Sequence, residues 1–462
     1  MRPQRISLVL SAVVMVLVMS RCGKVQPRPP QATGFDPPIA PALSYLAGPL
    51  HFPLSELQAK INQGLDPVLI GRSSKESRGN PLLPLRVVRS GPVRIRYENQ
   101  TVSFSAPIQV FLVSPFRSGG PDSLKDPFCA LHVDFQSPLA VSPDWRLSTR
   151  TRFQQYRWIR RPVVKILGRE ISLTELAQRE LERRKPDIEA AIDSAVYNEL
   201  RLDQIVKPIW ESLQKPLMLS KAYGLWLLPM PVGVTTGPLQ GDNRQLTIPL
   251  RIAFQTRTVL NRKPPEPTPL PLPVLEKRDS VDLTSDLRIM SFLSYADINR
   301  ILAESFQREK LELGLGALTI QGATIYGGQH SIIARTQVKG LVNGTLYFRG
   351  RPQFDTTTST LKVIGVGFDA QTEEALPDRI AQWWGKPLCR LLEEFLVFPL
   401  GEEIRRIPET ITSELKKGEA GRAADFAIRD FQLVPQRVAV RPDGIQTLIQ
   451  IRSKVDVSIR QL

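Results

Sequence analysis

Residues that commonly carry catalytic or metal chemistry are few in this sequence and widely separated. The chain has three histidines, His51, His132 and His330, and none stands in an H-E-x-x-H or other metal-binding spacing. A C-x-x-C pair, a G-x-S-x-G elbow, a P-loop and a dinucleotide-binding fingerprint are all absent. His132 and Asp134 are two residues apart and can meet on one side of a strand, as in an ordinary surface contact. The sequence therefore predicts a protein that is not an enzyme and holds no catalytic residues, metal or cofactor.

The N-terminus predicts export and a lipid anchor. Arg2 and Arg5 precede the uncharged run ISLVLSAVVMVLVMS (6–20), which is shorter than the about 20 residues of a membrane span and is typical of a signal peptide. The run ends in MSRC (19–22), which resembles the bacterial lipobox, although Arg21 departs from that pattern. We predict a signal peptide over residues 1–21 and lipidation of Cys22, with an ordinary signal peptide or an uncleaved anchor as the alternatives.

These features predict a protein of the bacterial cell envelope that is anchored to a membrane and faces the periplasm. Gly23, rather than Asp, follows Cys22, and this favours the outer membrane. The other two cysteines, Cys129 and Cys389, stand in apolar surroundings. Two separate buried thiols are expected there, and a disulfide between them is the alternative.

The charge of the chain is strongly positive, with 61 Lys and Arg against 45 Asp and Glu and a net charge of +16. Such a surface can serve nucleic acid, an anionic membrane or solubility. The sequence holds no zinc spacing, RNA-binding signature or dense basic run, so nucleic acid is not an expected partner. Arg146, Arg150 and Arg152 share one strand face, which can attract anionic head groups or simply be solvated.

Two Pro-rich segments divide the chain, whose 462 residues suit two domains. Residues 22–49 predict a semi-rigid tether that lifts the folded part off a membrane. Residues 261–276 hold six prolines and predict a connector between two halves. The predicted order is signal peptide, tether, first half over residues 50–260, connector, and second half over residues 277–462.

Alternating apolar residues predict antiparallel strands with one dry face and one wet face. One run holds Leu246, Ile248, Leu250, Ile252 and Phe254, and a second run holds Ile449, Ile451, Val455, Val457 and Ile459. The inward residues of a strongly curved sheet either pack fully on a helix or leave an apolar lumen. Both runs are therefore our candidates for positions that line a lipid site.

The two halves share further patterns. Hairpin turns are predicted at Asn343-Gly344 and Asp443-Gly444. A long helical stretch is predicted over residues 174–214, broken near Pro186, and a counterpart runs from 377 to 415. The apolar stripe of the first stretch, 174–214, comprises Leu176, Ile188, Ile192, Val196, Ile205, Ile209 and Leu213.

Similar segments recur along the chain. LLPMPVGV (227–234) and LVPQRVAV (433–440) each precede an alternating run. Ser55, Ser172 and Ser294 each stand three residues before a side chain that can complete a capping box. These repetitions predict an internal duplication.

The chain resembles the tubular lipid-binding (TULIP) superfamily, which includes bactericidal permeability-increasing protein. It is most similar to the bacterial domain-of-unknown-function family numbered 4403. The segments that carry the resemblance are SPDWRLSTRT (142–151), KILGREISLTEL (165–176), IDSAV (192–196), LQKPLML (213–219), LPLPVL (270–275) and SYADINRIL (294–302). The resemblance implies an α+β fold of two tandem TULIP-like units, each a highly curved antiparallel sheet wrapped around long helices. It also implies an apolar groove or tube able to hold acyl chains.

The leading functional hypothesis is a membrane-tethered envelope lipoprotein that binds, and can transfer, lipid or another amphiphile in an apolar tubular cavity. Its expected partners are the membrane, through the lipidated N-terminus, and that amphiphile; protein partners are left open. The alternative is a non-catalytic structural or scaffold lipoprotein with a filled core. The two hypotheses differ in whether the inward residues leave a cavity.

Overall fold

A computed structural model describes most of the chain. The described residues are 24–70, 85–112, 127–166, 169–221, 224–260, 263–305, 310–313, 316–340, 342–355, 357–376, 378–399, 401–417 and 419–460. The predicted signal peptide and Cys22 lie outside these ranges. Within them, no helix combines the length and the hydropathy that crossing a membrane requires.

Strands predominate in the part of the chain that precedes the connector. In chain order the elements are β1 (Lys24–Val25), β2 (Ser44–Pro53), α1 (Leu54–Gly64), β3 (Val68–Ile70), β4 (Leu85–Arg89), β5 (Arg94–Glu98), β6 (Thr101–Leu112), β7 (Cys129–Val141), β8 (Leu147–Thr149), β9 (Arg152–Arg160), β10 (Val163–Ile166), β11 (Arg169–Ser172), α2 (Thr174–Glu199), α3 (Leu202–Ser212), β12 (Leu217–Ser220), β13 (Leu225–Thr236), β14 (Gln240–Gly241) and β15 (Gln245–Leu260).

The rest of the chain has a similar mixture. Its elements are β16 (Leu275–Lys277), β17 (Thr284–Ser294), α4 (Tyr295–Ser305), β18 (Lys310–Leu313), β19 (Gly316–Gly328), β20 (Ser331–Gly340), β21 (Asn343–Asp355), β22 (Thr360–Phe368), α5 (Ala370–Ala375), α6 (Asp378–Phe395), β23 (Val397–Pro399), α7 (Gly401–Lys417), α8 (Glu419–Ala423), β24 (Ala424–Val440) and β25 (Gly444–Ile459). The prediction of a mixed α+β fold with curled sheets is confirmed.

One nine-stranded sheet joins the two halves. Its main strand order is β12-β13-β15-β2-β17-β25-β24, so strands from both sides of the connector lie in it, and we call it the central sheet. Each repeated segment lies on a strand that pairs with the alternating run after it, because β13 pairs with β15 and β24 pairs with β25. The two repeated segments, 227–234 and 433–440, therefore stand on opposite sides of a shared sheet rather than closing separate units.

Two further sheets belong to one half each. The first is built from β3 to β9, and the second from β18 to β23 together with β1. The strands β10 and β11 form a separate two-stranded ribbon between β9 and α2. Side chains of α1, α2 and α3 pack inside the first of these sheets, and the buried members of the resulting cluster include Leu57, Ile188, Val196 and Trp210.

The long helix α2 differs from its prediction at two points. Pro186 lies inside a helix that continues from Thr174 to Glu199, and the interruption falls at Leu200 and Arg201 instead. A proline costs one backbone hydrogen bond. An ion pair of Arg184 with Asp187 spans the proline, and a second pair of Arg184 with Glu180 supports the turn before it. Leu176, predicted to belong to the buried stripe, is 37% exposed.

The N-terminal segment predicted to be a tether is packed on the second half over residues 24–43. β1 pairs with β21, and the buried Val25 joins the apolar cluster beneath that sheet. Further along, Gln329 N–H donates to the Thr33 carbonyl and Ile39 N–H donates to Gln446 Oε1. Residues 24–43 are therefore a strap on the folded body, and residues 44–49 already belong to β2.

Asp36 is the main polar contact of this strap. Its Oδ2 accepts from the Val440 N–H at 2.9 Å and its Oδ1 lies 2.8 Å from His330 Nδ1, while Arg441 donates to its carbonyl. Burial raises the pKa of the Asp36 carboxyl, but the Val440 and His330 hydrogen bonds and the charges of Arg351 and His330 outweigh it. The pKa therefore lies below the ordinary 3.8.

The lowered pKa predicts a specific loss of stability in acid. A carboxyl with a depressed pKa stabilises the fold above its unfolded pKa and stops doing so as the pH falls through its folded pKa. We expect Asp36→Asn to lower the free energy of unfolding by about 1–2 kcal/mol at neutral pH. Its difference from wild type should begin to shrink below about pH 4, where the carboxyl of the unfolded chain protonates, and should shrink further as the pH falls through the lower pKa of the folded state. Urea unfolding across pH measures this, with the exposed Glu374→Gln as control; a constant difference at every pH would contradict it.

The predicted connector also lies against the first half. Trp145 Nε1 donates to the Pro273 carbonyl at 2.7 Å, and Trp210 Nε1 donates to the Leu270 carbonyl at 2.9 Å. Beyond these contacts, Leu275 opens β16, which pairs with β13. The prolines between the halves thus follow the surface of the first half instead of spanning open space.

Cys129 and Cys389 are both free, as expected; Cys129 is buried, whereas Cys389 is only partly buried. Burial raises the pKa of the Cys129 thiol to about 12. Burial, followed by the nearby Glu393 charge, raises the pKa of the Cys389 thiol to about 11. Thiols with such high pKa values carry little thiolate at neutral pH and are poor nucleophiles.

Candidate apolar binding site

A cavity of about 300 Å³ lies between the central sheet and the C-terminal ends of α3 and α7. Its walls come from both halves of the chain. The lining residues are Leu46, Ser212, Leu213, Lys215, Pro216, Leu217, Leu227, Pro229, Pro231, Ile252, Phe254, Thr256, Leu287, Ile289, Ile411, Glu414, Leu415 and Lys417. Most of these side chains are apolar, which makes the cavity suitable for a hydrocarbon chain.

The sheet wall of the cavity follows from strand alternation. Leu227, Pro229 and Pro231 on β13 line it, whereas Met230 and Val232 are 45% and 60% exposed. Side chains that alternate along a strand point to opposite faces, so every second residue from Leu227 to Pro231 belongs to the cavity. Prolines are tolerated at Pro229 and Pro231 because, among the described strands, β12 and β16 pair only with the two ends of β13, so the middle of β13 needs fewer backbone N–H donors on that side.

The polar groups of the sheet wall are already satisfied. Thr256 Oγ1 donates to the Arg288 carbonyl at 2.7 Å and accepts from the Met290 N–H at 3.4 Å. These bonds leave the hydroxyl with little capacity to orient a polar ligand. The sheet wall thus offers shape and apolar contact rather than chemistry.

Among the described residues that line the cavity, the charged ones stand on the helical side. Lys215 follows α3, and Glu414 and Lys417 lie in the last turn of α7. All three are exposed, and Lys417 Nζ lies 2.7 Å from Glu414 Oε1. Lysines at this end of a helix are favoured by the negative end of its dipole. The cavity therefore has an apolar interior and a polar margin.

The structure distributes the predicted lining residues over several places. Ile252 and Phe254 line the cavity. Leu246, Ile248 and Ile459 are buried in the first-half core, and Leu250 and Val457 pack against it. Ile451 belongs to a cluster beneath the central sheet, with Ile449 packed against it, and Val455 is buried at 6% exposure on β25.

The helical part of the lining was not among the predicted site residues. Leu213, Ile411 and Leu415 belong to the ends of the two long helical stretches. Their apolar spacing was visible in the sequence and indicated core packing. The position of Leu213 and Leu415 in the last apolar turn of their helical stretches could have marked them, because the end of a helix can contact another element than its middle does.

The histidines form no common site. His132 lies 3.8 Å from Asp134, as the sequence suggested, while His51 Nδ1 contacts Thr247 Oγ1 at 3.0 Å. His330 belongs to the strap contact with Asp36. Across the described part of the chain, no group of His, Cys, Asp or Glu has the arrangement of a metal site.

The predicted basic face of Arg146, Arg150 and Arg152 is not a continuous surface. The Arg146 side chain lies over the Tyr197 ring and 3.6 Å from Asp144, whereas Arg152 pairs with Glu189. Residues 150 and 151 interrupt the strand between β8 and β9, which separates these side chains. The prediction of a shared face was wrong because it assumed that residues 146–152 form one unbroken strand.

The fold and the site define an α+β protein whose curled sheets meet helices around an apolar cavity. The chain belongs to the family described as domain of unknown function (DUF4403), whose model matches residues 42–459. The predicted family is therefore confirmed. No curated protein matches the sequence.

Among solved structures, the chain is similar to one titled as the crystal structure of lipopolysaccharide binding protein. The similarity covers 92% of this chain and 100% of that chain, with 11% sequence identity and a TM-score of 0.31.

Proposed function

We propose that this protein binds the hydrocarbon chain of a lipid or another amphiphile in the cavity between the central sheet, α3 and α7. The observation that carries the proposal is the apolar lining, in which Leu227, Ile252 and Leu287 face the helix residues Leu213 and Leu415. Burying a methylene group stabilises a complex by about 0.8 kcal/mol, so an apolar chain gains affinity along its length.

The size of the cavity sets the part of the ligand that it encloses. A volume of about 300 Å³ is at the lower end of the range for small-molecule sites. It suits a single acyl chain or a part of one, with the head group at the margin formed by Lys215, Glu414 and Lys417. The activity that we propose for this site is transfer of the bound amphiphile to an acceptor.

The proposal includes a location and an architecture. The apolar run 6–20 and the MSRC motif support an envelope lipoprotein anchored through Cys22. The order of elements supports two tandem TULIP-like units that share the central sheet. The elements β2, α1, α2, α3, β13 and β15 in one half correspond to β17, α4, α6, α7, β24 and β25 in the other.

The competing function, a scaffold with a filled core, is favoured by the first-half interior. Leu246 and Ile248, predicted to line a lumen, are 0% and 1% exposed in a packed cluster. Such a protein would use its outer faces to hold envelope partners. The two functions differ in whether an amphiphile is bound.

Lipid extraction distinguishes these functions. The chain starting at Lys24 contains every described element and avoids the apolar N-terminal run. We expect this chain, purified without detergent and extracted with organic solvent, to release an acyl-chain amphiphile detectable by mass spectrometry. A folded preparation that releases none and takes up no fluorescent fatty acid would reject amphiphile binding and leave the scaffold function.

A further inference from the structure

The polar margin of the cavity carries an excess of positive charge. Among the described lining residues the charged ones are Lys215, Glu414 and Lys417, so two lysines stand against one glutamate. Leu213 packs against the apolar cluster that contains the buried Leu415, which joins the end of α3 to the end of α7. Lys215 and Lys417 each follow one of these leucines by two residues, and both therefore lie at the same margin.

The Lys215 side chain is a free cation within the described part of the chain. It is exposed and pairs with no acidic residue that the structure describes. The acidic residue one turn before it, Glu211, instead has its Oε1 3.9 Å from Lys207 Nζ. The Lys215 ammonium group is therefore available to a ligand.

The end of α3 does not occupy this ammonium group either. Lysines near the end of a helix can donate to its last carbonyls, which lack partners inside the helix. In α3 the carbonyls of residues 209, 211 and 212 accept from backbone N–H groups, and the Trp210 carbonyl accepts from Gln214 Nε2 at 3.2 Å. All four carbonyls of the last turn thus have partners other than Lys215 Nζ.

Lys417 differs from Lys215 because its charge is already compensated. Its Nζ lies 2.7 Å from Glu414 Oε1, and it stands at the end of α7, where the helix dipole favours a cation. None of the described lining residues is an arginine, whose planar guanidinium would bind a phosphate through two parallel hydrogen bonds. A lysine attracts an anion as a point charge, so the margin selects the charge of a head group rather than its shape.

We propose that Lys215 makes the cavity selective for a single-chain amphiphile with an anionic head group. This inference rests on the proposed function, because the acyl chain must occupy the cavity for its head group to lie at the margin. The head group is a carboxylate or a phosphate, as in a fatty acid or a monoacyl phosphate. A neutral head group gains nothing from an unpaired lysine, and a cationic one is repelled by it.

Dodecanoate, dodecyl phosphate and dodecanol test this selectivity, because they carry the same chain and differ in the head group. The full chain is held on a sensor by a C-terminal tag, and each compound is added below its critical micelle concentration. Binding that remains after tryptophan replaces both Leu227 and Leu287 is subtracted, since it lies outside the cavity. We expect both anions to bind about fivefold more tightly than dodecanol and to lose this advantage in 1 M NaCl. Whichever anion binds more tightly identifies the head group.

Lys215→Gln is expected to weaken the binding of dodecanoate about fivefold and to leave that of dodecanol unchanged. Fivefold corresponds to about 1 kcal/mol, which is the upper range for an ion pair near a protein surface. The matched control is Lys277→Gln on β16, because Lys277 is also exposed and does not line the cavity. We expect this control to bind both compounds as the wild type does. An equal loss for dodecanoate and dodecanol in Lys215→Gln would show a structural role and overturn the proposal.

Glu414→Gln should have the opposite effect and strengthen the binding of dodecanoate about threefold. The substitution removes a like charge from the margin and releases Lys417 from its ion pair. Its control is Glu182→Gln on α2, because Glu182 forms an ion pair of the same spacing, with its Oε1 2.6 Å from Lys185 Nζ, away from the cavity. A gain in affinity cannot come from a damaged fold, so unchanged or weaker binding by Glu414→Gln would contradict the proposed charge selection.

The same measurements separate this inference from the proposed function. Equal binding of dodecanoate and dodecanol, both blocked by the two tryptophans, would overturn the anionic selectivity and leave amphiphile binding in place. Binding of all three compounds that the two tryptophans do not reduce would reject the cavity as a ligand site, and the selectivity with it.

Discussion

With tryptophan in place of both Leu227 and Leu287, the protein is expected to bind a fluorescent fatty acid about a hundredfold more weakly than the wild type. The two leucines line the cavity from β13 and β17, which are three strand spacings apart in the central sheet. Indole rings entering from both sides shorten the space available to a chain. Excluding even four methylene groups costs about 3 kcal/mol, which is about a hundredfold in Kd.

The control places the same substitutions on the same strands but outside the cavity. Met230 and Phe292 lie on β13 and β17, are 45% and 40% exposed, and do not line the cavity. Met230→Trp/Phe292→Trp should bind the fatty acid like the wild type. Titration by fluorescence, with thermal unfolding to verify that both variants fold, measures the difference. A blocked variant that keeps wild-type affinity would show that the ligand binds elsewhere.

Strand positions were the most predictable part of the fold. The run from Leu246 to Phe254 lies within β15, and the Asp443-Gly444 turn joins β24 to β25 as expected. Both are local signals, since alternation and turn chemistry depend on neighbouring residues. Asn343-Gly344, in contrast, opens β21 instead of forming the turn, and Gly344 pairs with Val25 of the strap. That contact joins residues more than 300 positions apart, which no local pattern encodes.

The cavity was less predictable than the strands for the same reason. Alternation identified Ile252 and Phe254 as inward-facing, but it treated Leu246 and Ile248 identically. What separates them is the distance of the helices from the sheet at each point along β15. α1 packs against one end of this strand, while the ends of α3 and α7 leave space at the other. This distance is a tertiary property that a strand pattern does not carry.

The three predicted capping boxes show how neighbouring geometry selects among similar motifs. Ser294 makes the serine half of such a box, because its Oγ accepts from the Asp297 N–H at 3.1 Å; the Asp297 carboxylate answers by accepting from the Ser294 hydroxyl at 2.7 Å rather than from the Ser294 backbone N–H. α1 begins at Leu54, so Ser55 lies inside the helix and caps nothing. Leu173 is the N-cap residue of α2, and Ser172 contacts Thr174 instead. A motif of the right spacing caps a helix only where the preceding strand ends at that residue.

Replacement by alanine should cost far more stability at Phe52 than at Phe292, although both residues lie in strand-to-helix segments that the sequence presents as copies. Phe52 is 0% exposed at the end of β2 and packs in the first-half core, whereas Phe292 is 40% exposed near the end of β17. Removing a buried phenylalanine loses its transfer free energy and leaves a void that neighbours fill only in part. We expect Phe52→Ala to lower the free energy of unfolding by about 3–5 kcal/mol.

Phe292→Ala is the internal control and should cost less than about 1 kcal/mol, since surface changes rarely exceed such values. Urea unfolding of both variants measures the contrast. Equal costs would mean that the two segments occupy equivalent core positions, as an exact duplication would require. The expected inequality means that the halves repeat their order of elements while their junctions pack differently. The first-half junction then belongs to a filled core, and space for a ligand is left at the centre of the shared sheet.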